Sequence, residues 1–211
     1  MLLSALVATA ALIATPATAA TQVCAGGGCQ PNPDSNVLFV DNSQGTSIQA
    51  TLNNSPALVT FESSESLVTQ ANGQATLFAS DGILNSSFTI FSTTNLINAL
   101  ELNLDALTDG TAVFTFFGGS NDLLGTTTQA LSVGENGSNF FNTFGGDFGR
   151  VTVSLGNGAT LQSVNQVRIT AGSQLTSAVP EPTTWAMMLV GFGSVGYSMR
   201  KRAAPRLVQA I

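Results

Sequence analysis

The feature that most constrains this chain is a hydrophobic period of two, interrupted at short intervals by residues that turn the backbone. Ile48, Ala50 and Leu52 alternate with Ser47, Gln49 and Thr51; Leu100, Leu102 and Leu104 alternate with Glu101, Asn103 and Asp105; Val151, Val153 and Leu155 alternate with Thr152 and Ser154. A strand places successive side chains on opposite faces, so each run predicts a strand with one buried and one wet face. Asn72-Gly73, Asp81-Gly82, Asp109-Gly110, Asn136-Gly137 and Asn157-Gly158 supply residues that tolerate the positive φ of tight turns. Half-wet strands punctuated this often predict an all-β fold, a jelly-roll-like antiparallel β-sandwich over residues 37–178. Residues 90–107 fit less well, because Ile90-Phe91 and Asn95 to Leu107 also suit a short helix.

Composition fits strands better than long helices. Only 9% of the 211 residues are charged, and Ser, Thr, Asn and Gly make up the polar remainder. Of the 13 Phe, all but Phe192 fall within residues 37–178. Phe114, Phe116, Phe117, Phe140, Phe141, Phe144 and Phe148 are expected in the core rather than on a ligand platform.

Charge is distributed unevenly. Between residues 21 and 180 the acids face just two basic residues, Arg150 and Arg168, whereas Arg200, Lys201, Arg202 and Arg206 crowd the end. An acidic body with a basic end excludes nucleic acid as a partner, since that needs Lys and Arg spread over a face. The chain has no His, which removes the commonest general base and metal ligand. A hydrolase would then rely on paired carboxylates, and Glu62 with Glu65, Asp105 with Asp109, Asp122 and Asp147 are available without a spacing that selects a pair. Solvated turn and face acids are the simpler reading. Asn121-Asp122 and Asp147 could ligate Ca²⁺ in loops, but no motif supports it. No catalytic residue, metal site or cofactor is assigned, and the chain is read as a non-enzyme.

Both ends read as targeting segments. Residues 1–20 combine an apolar run through Ile13, a helix-breaking Pro16 and Ala17-Thr18-Ala19, the pattern of a secretory signal peptide, although no Lys or Arg precedes the run. A leader over residues 21–36 holds Cys24 and Cys29, the only two cysteines, separated by Ala-Gly-Gly-Gly. Outside the cytoplasm a local disulfide is expected there. Val23 before Cys24 does not suit lipidation, and a redox pair normally has two intervening residues.

Near the other end, Pro180-Glu181-Pro182 precedes an uncharged run from Thr183 to Met199, closed by Arg200-Lys201-Arg202. As a helix this run is about 25 Å long, which suggests a single transmembrane helix over residues 183–199. The basic triplet would face the cytoplasm, together with the tail 203–211, and Trp185 and Tyr197 would lie near the interfaces. Gly191-Phe192-Gly193-Ser194-Val195-Gly196 fits G-x-G-x-x-G but lacks the strand and helix that a nucleotide fingerprint needs. Ser198-Met199-Arg200-Lys201 fits S-x-x-K without its companion motifs.

The order Pro180-Glu181-Pro182, Trp185-Ala186-Met187-Met188-Leu189, Gly191-Phe192-Gly193, Gly196 and basic cluster closely resembles a PEP-CTERM sorting signal of the PEPxxWA variant, over residues 179–202. The resemblance implies recognition by an exosortase, a membrane protease-transpeptidase. It also implies a cell-surface or extracellular-matrix destination, with exopolysaccharide or biofilm as the setting. Residues Gly119 to Thr170 loosely resemble outer domains common among PEP-CTERM proteins, which brings no assigned activity. The expected function is a structural or adhesive surface component associated with exopolysaccharide. A carbohydrate-binding module and, further off, a glycan-processing enzyme are the alternatives.

Overall fold

The computed structural model describes residues 21–26, 32–71, 73–133, 138–174 and 182–200. The chain divides into two compact units, Met1–Leu175 and Thr176–Ile211.

In the first unit the described residues form twelve strands: β1 (Gln22–Ala25), β2 (Ser35–Leu38), β3 (Gln44–Leu52), β4 (Leu58–Gln70), β5 (Thr76–Ala79), β6 (Phe88–Ser92), β7 (Asn95–Thr108), β8 (Gly110–Phe117), β9 (Leu123–Leu131), β10 (Ser138–Phe144), β11 (Arg150–Gly156) and β12 (Thr160–Gln174). Hydrogen-bonded neighbours run β1-β10-β7-β12-β2-β3-β4-β6-β11-β8-β9, with β5 beside β12 and β4. Every pairing among them is antiparallel. Four pairs are nested: β5 with β12, β6 with β11, β7 with β10 and β8 with β9. This nesting folds one long antiparallel ribbon over on itself. The sheet curls enough that its first and last strands approach each other, and the Gln129 side-chain amide of β9 donates to the Val23 carbonyl of β1 at 2.9 Å. The result is a small sandwich- or barrel-like sheet.

The alternation read from sequence is what closes this sheet around a core. Ile48, Ala50 and Leu52 point inward, as do Leu100, Leu102, Leu104, Val151 and Val153. Phe61, Phe88, Phe114, Phe116, Phe141 and Phe148 are all fully buried. Phe114 meets Phe141 edge to face at 5.3 Å between centroids, and Phe116 meets Phe148 at 5.0 Å. Such contacts add about 0.5–1.5 kcal/mol to the burial itself. Phe117, Phe140 and Phe144 lie on the opposite side of their strands and are half-buried.

Three local expectations are corrected. Residues 95–108 form a long strand, in line with the alternation of Leu100, Leu102 and Leu104, and not the short helix that Asn95 to Leu107 also suited. Pairing with both β10 and β12 satisfies this backbone, and register shifts along β12 accommodate its departures from strict alternation. The stretch expected as a leader also joins the sheet, because Gln22–Ala25 pairs with β10 and buries Val23. Asp109-Gly110 is a corner between β7 and β8 rather than a positive-φ turn. Gly110 begins β8 without a positive φ, and a Cβ there would lie 2.6 Å from both the Ala159 Cβ and the Gly156 carbonyl oxygen. By contrast Asn157 (φ 56°) and Gly158 (φ 78°) supply the expected left-handed turn, as does Gly82 (φ 85°). Asn72 and Asn136-Gly137 fall outside the described residues, as do the signal peptide over residues 1–20 and the tail 203–211.

The second unit contains one described helix, α1 (Pro182–Arg200). Proline suits a first helical position, where its missing N–H would have no partner in any case. The expected transmembrane helix over residues 183–199 is corrected here: among the described residues no helix is both long and apolar enough to cross a membrane. Length is not the shortfall, since 19 residues rise roughly 28 Å. The apolar run from Ala186 to Val190 is diluted by Thr183, Thr184, Ser194 and Ser198 and by Gly191, Gly193 and Gly196.

Candidate functional site

Two regions carry features beyond packing: the C-terminal segment and one outer face of the β unit.

In the C-terminal segment Pro182 opens α1, Trp185 falls in its first turn and Arg200 ends it, exposed. A cation at a helix C-terminus complements the dipole there. Pro180, Glu181, Lys201 and Arg202 lie outside the described residues. Met187, Met188, Leu189, Val190 and Phe192 are exposed. Successive helical positions are about 100° apart, so these side chains surround the helix instead of forming a stripe. An exposed apolar surface of this kind marks a site of interaction.

On the β unit the outward face of six adjacent strands is polar. Ser47 is paired with Glu62, Glu62 with Thr89, Thr89 with Thr152, Thr152 with Thr115 and Thr115 with Thr126. One row of hydroxyls, broken by a single carboxylate, thus crosses β3-β4-β6-β11-β8-β9. Ser47 donates to Glu62 Oε1 at 3.3 Å, and the Thr89 and Thr152 hydroxyls are bonded at 3.0 Å. A shallow groove of about 410 Å³ lies along this row, bordered by Thr46, Ser47, Glu62, Ser64, Thr89 and Thr152 among others.

The next row pairs Phe91 with Arg150 and Arg150 with Phe117. The Arg150 guanidinium carbon sits 4.4 Å from the Phe117 ring centroid, a cation–π contact. Beside it a pocket of about 230 Å³ is lined by Glu62, Phe91, Ser92, Asn121, Arg150 and the backbone of Gly118, Gly119 and Gly149. Its rim is tightly held. The Gly118 N–H donates to the Asp122 carbonyl at 2.8 Å, and the Gly149 N–H to the Phe117 carbonyl at 2.8 Å. Asn121 adopts φ 66° in the turn, and a Cβ at Gly149 would meet the Gly118 carbonyl oxygen at 2.9 Å. These glycines let two backbones approach closely beside the guanidinium.

The two arginines of the β unit differ in their partners. Arg168 on β12 faces Glu101 on β7 with an ion pair at 3.7 Å. Among the described residues Arg150 has no ion pair, and its buried Nε has no hydrogen-bond partner. Sequence reasoning did not select this pocket. Its one available signal was the rarity of a basic residue in an acidic stretch.

The acids considered for catalysis are dispersed, several of them holding loops. Asp109 accepts from the Val133 N–H at 2.7 Å, Glu65 from the Asn85 N–H at 3.3 Å, and Asp147 from the Asn98 amide at 2.6 Å. Asp105 lies mid-strand on β7, and the Asp122 side chain lies against Gly118. Among the described residues no three His, Cys, Asp or Glu side chains cluster as a metal site. Cys24 lies on β1 and is not a free thiol, while Cys29 is outside the described residues.

By class, this is a β-rich protein with a separate C-terminal helical segment. Residues 178–202 match the PEP-CTERM protein-sorting motif. The motif indicates an exported protein sorted by exosortase, a membrane protease. No curated protein matches the chain.

Proposed function

We propose that this chain is a non-enzymatic surface or matrix component, delivered by exosortase-dependent sorting and held in contact with exopolysaccharide by the polar outer face of its β unit. The observation that carries the reading is the hydroxyl row from Ser47 to Thr126, on a domain joined to a sorting motif. Hydroxyl and carboxylate groups exchange hydrogen bonds with sugar hydroxyls over an extended surface, which suits an open face better than a closed catalytic cleft. The lack of His and the engagement of several acids in loops favour binding over turnover. The exposed apolar side chains of α1 are assigned to contact with exosortase during sorting. The test is co-sedimentation of the β unit with exopolysaccharide extracted from its host. Retention without any change in polymer length is expected, whereas polymer shortening would make the domain an enzyme.

A carbohydrate-binding module is the second reading, favoured by the pocket between Phe91 and Arg150. Cys24 and Cys29 are proposed to form a disulfide after export, since the short Gly-rich link lets the thiols meet. Non-reducing peptide mapping of exported protein should give one linked peptide, and two free thiols would exclude the bond.

A further inference from the structure

We infer that the Arg150 pocket is a subsite for one carboxylate-bearing sugar in an otherwise neutral glycan, with the neutral sugars running along the adjoining hydroxyl groove. This rests on the proposal that the β unit binds exopolysaccharide, and it names the chemistry of one subsite.

Arg150 is set up for an anion. It lines the pocket, it has no ion pair among the described residues, and its guanidinium is held over Phe117. A guanidinium without an ion pair leaves its charge without a compensating partner. An arriving carboxylate supplies one, because the planar guanidinium fork matches its two oxygens. The cation–π contact with Phe117 helps to hold that fork in place before any ligand arrives. Phe91 offers an apolar surface to a sugar ring, and Glu62 an acceptor for its hydroxyls.

Size and charge narrow the ligand further. The pocket, at about 230 Å³, is below the range of roughly 300–1,000 Å³ usual for drug-sized ligands, so it holds one sugar residue rather than several. Glu62 also borders the groove, which therefore continues directly from the pocket. Apart from Arg150 the groove and pocket carry no cation, and the unit as a whole is acidic. A uniformly anionic polymer would be repelled along the groove, whereas isolated carboxylates between neutral sugars would not.

The test uses a tetrasaccharide with one glucuronate among neutral hexoses, together with its carboxyl-reduced counterpart, which differs only in that charge. Calorimetric titration of the full chain should show the acidic form binding at least tenfold more tightly than the reduced form. This comparison needs no variant, so misfolding cannot obscure it. R150Q should remove the preference and R150K should keep part of it, while R168Q, distant in register, should leave it intact. Equal binding of both tetrasaccharides, or an undiminished preference in R150Q, would overturn the subsite while leaving exopolysaccharide binding in place. If neither tetrasaccharide nor the host's own exopolysaccharide binds, the subsite and the functional reading both fail.

Discussion

The β unit and the C-terminal helix use apolar residues in opposite ways. In the β unit they recur every second position, so the sheet turns them inward and Phe61, Phe88, Phe114 and Phe116 lose all contact with water. In α1 they run consecutively, and Met187, Leu189, Val190 and Phe192 stay exposed around the helix. The first pattern is satisfied within its own unit. The second is not satisfied within its own unit, and it lies inside the segment that matches a sorting motif. Hydrophobicity alone does not separate these roles, but periodicity does.

Breaking the buried side of this contrast should have the largest effect. Phe116→Ala removes a fully buried ring packed edge to face on Phe148 and should cost about 3–5 kcal/mol, read by urea denaturation of the β unit. Leu189→Ala in α1 should leave that transition in place, because the side chain is 71% exposed. Equal losses from the two substitutions would erase the distinction.

The rim of the Arg150 pocket comes next. Gly149→Ala places a Cβ 2.9 Å from the Gly118 carbonyl oxygen, backbone that cannot swing aside, and should cost about 1–3 kcal/mol. Gly125→Ala, where nothing lies within 4 Å of the added Cβ, is the matched control and should change little. Denaturant midpoints of the two variants decide this. Smaller still is the hydroxyl row. Thr89→Val breaks the 3.0 Å bond to Thr152 at a half-buried site and should cost about 1 kcal/mol or less. It should weaken polysaccharide retention more than it lowers stability.

What could be read from sequence followed the range of the interactions involved. The strands around Ile48, Leu102 and Val151 are visible because burial alternates residue by residue, and the Asn157-Gly158 turn because positive φ has a local signature. Asn95–Thr108 was ambiguous because its partners, β10 and β12, lie far along the chain. Gln22–Ala25 was misplaced for the same reason, since its fate depends on pairing with Phe141 to Phe144. The Arg150 pocket joins residues from β4 to β11, and no local pattern announces a cross-strand neighbour 63 positions away such as Thr152 is to Thr89. The sorting motif was legible because it is a linear code read by another protein. The membrane span expected beside it fits by length, but dilution by Gly, Ser and Thr leaves the helix less apolar than a span requires.

Sorting is the claim on which the rest depends, and the C-terminus of the mature protein tests it most directly. Mass spectrometry of surface material from the native host should find chains ending within residues 180–184, with Pro180→Ala plus Pro182→Ala reducing that processing and loss of the exosortase abolishing it. Surface-exposed protein that keeps Trp185 through Arg202 in the native host would contradict exosortase processing of this chain.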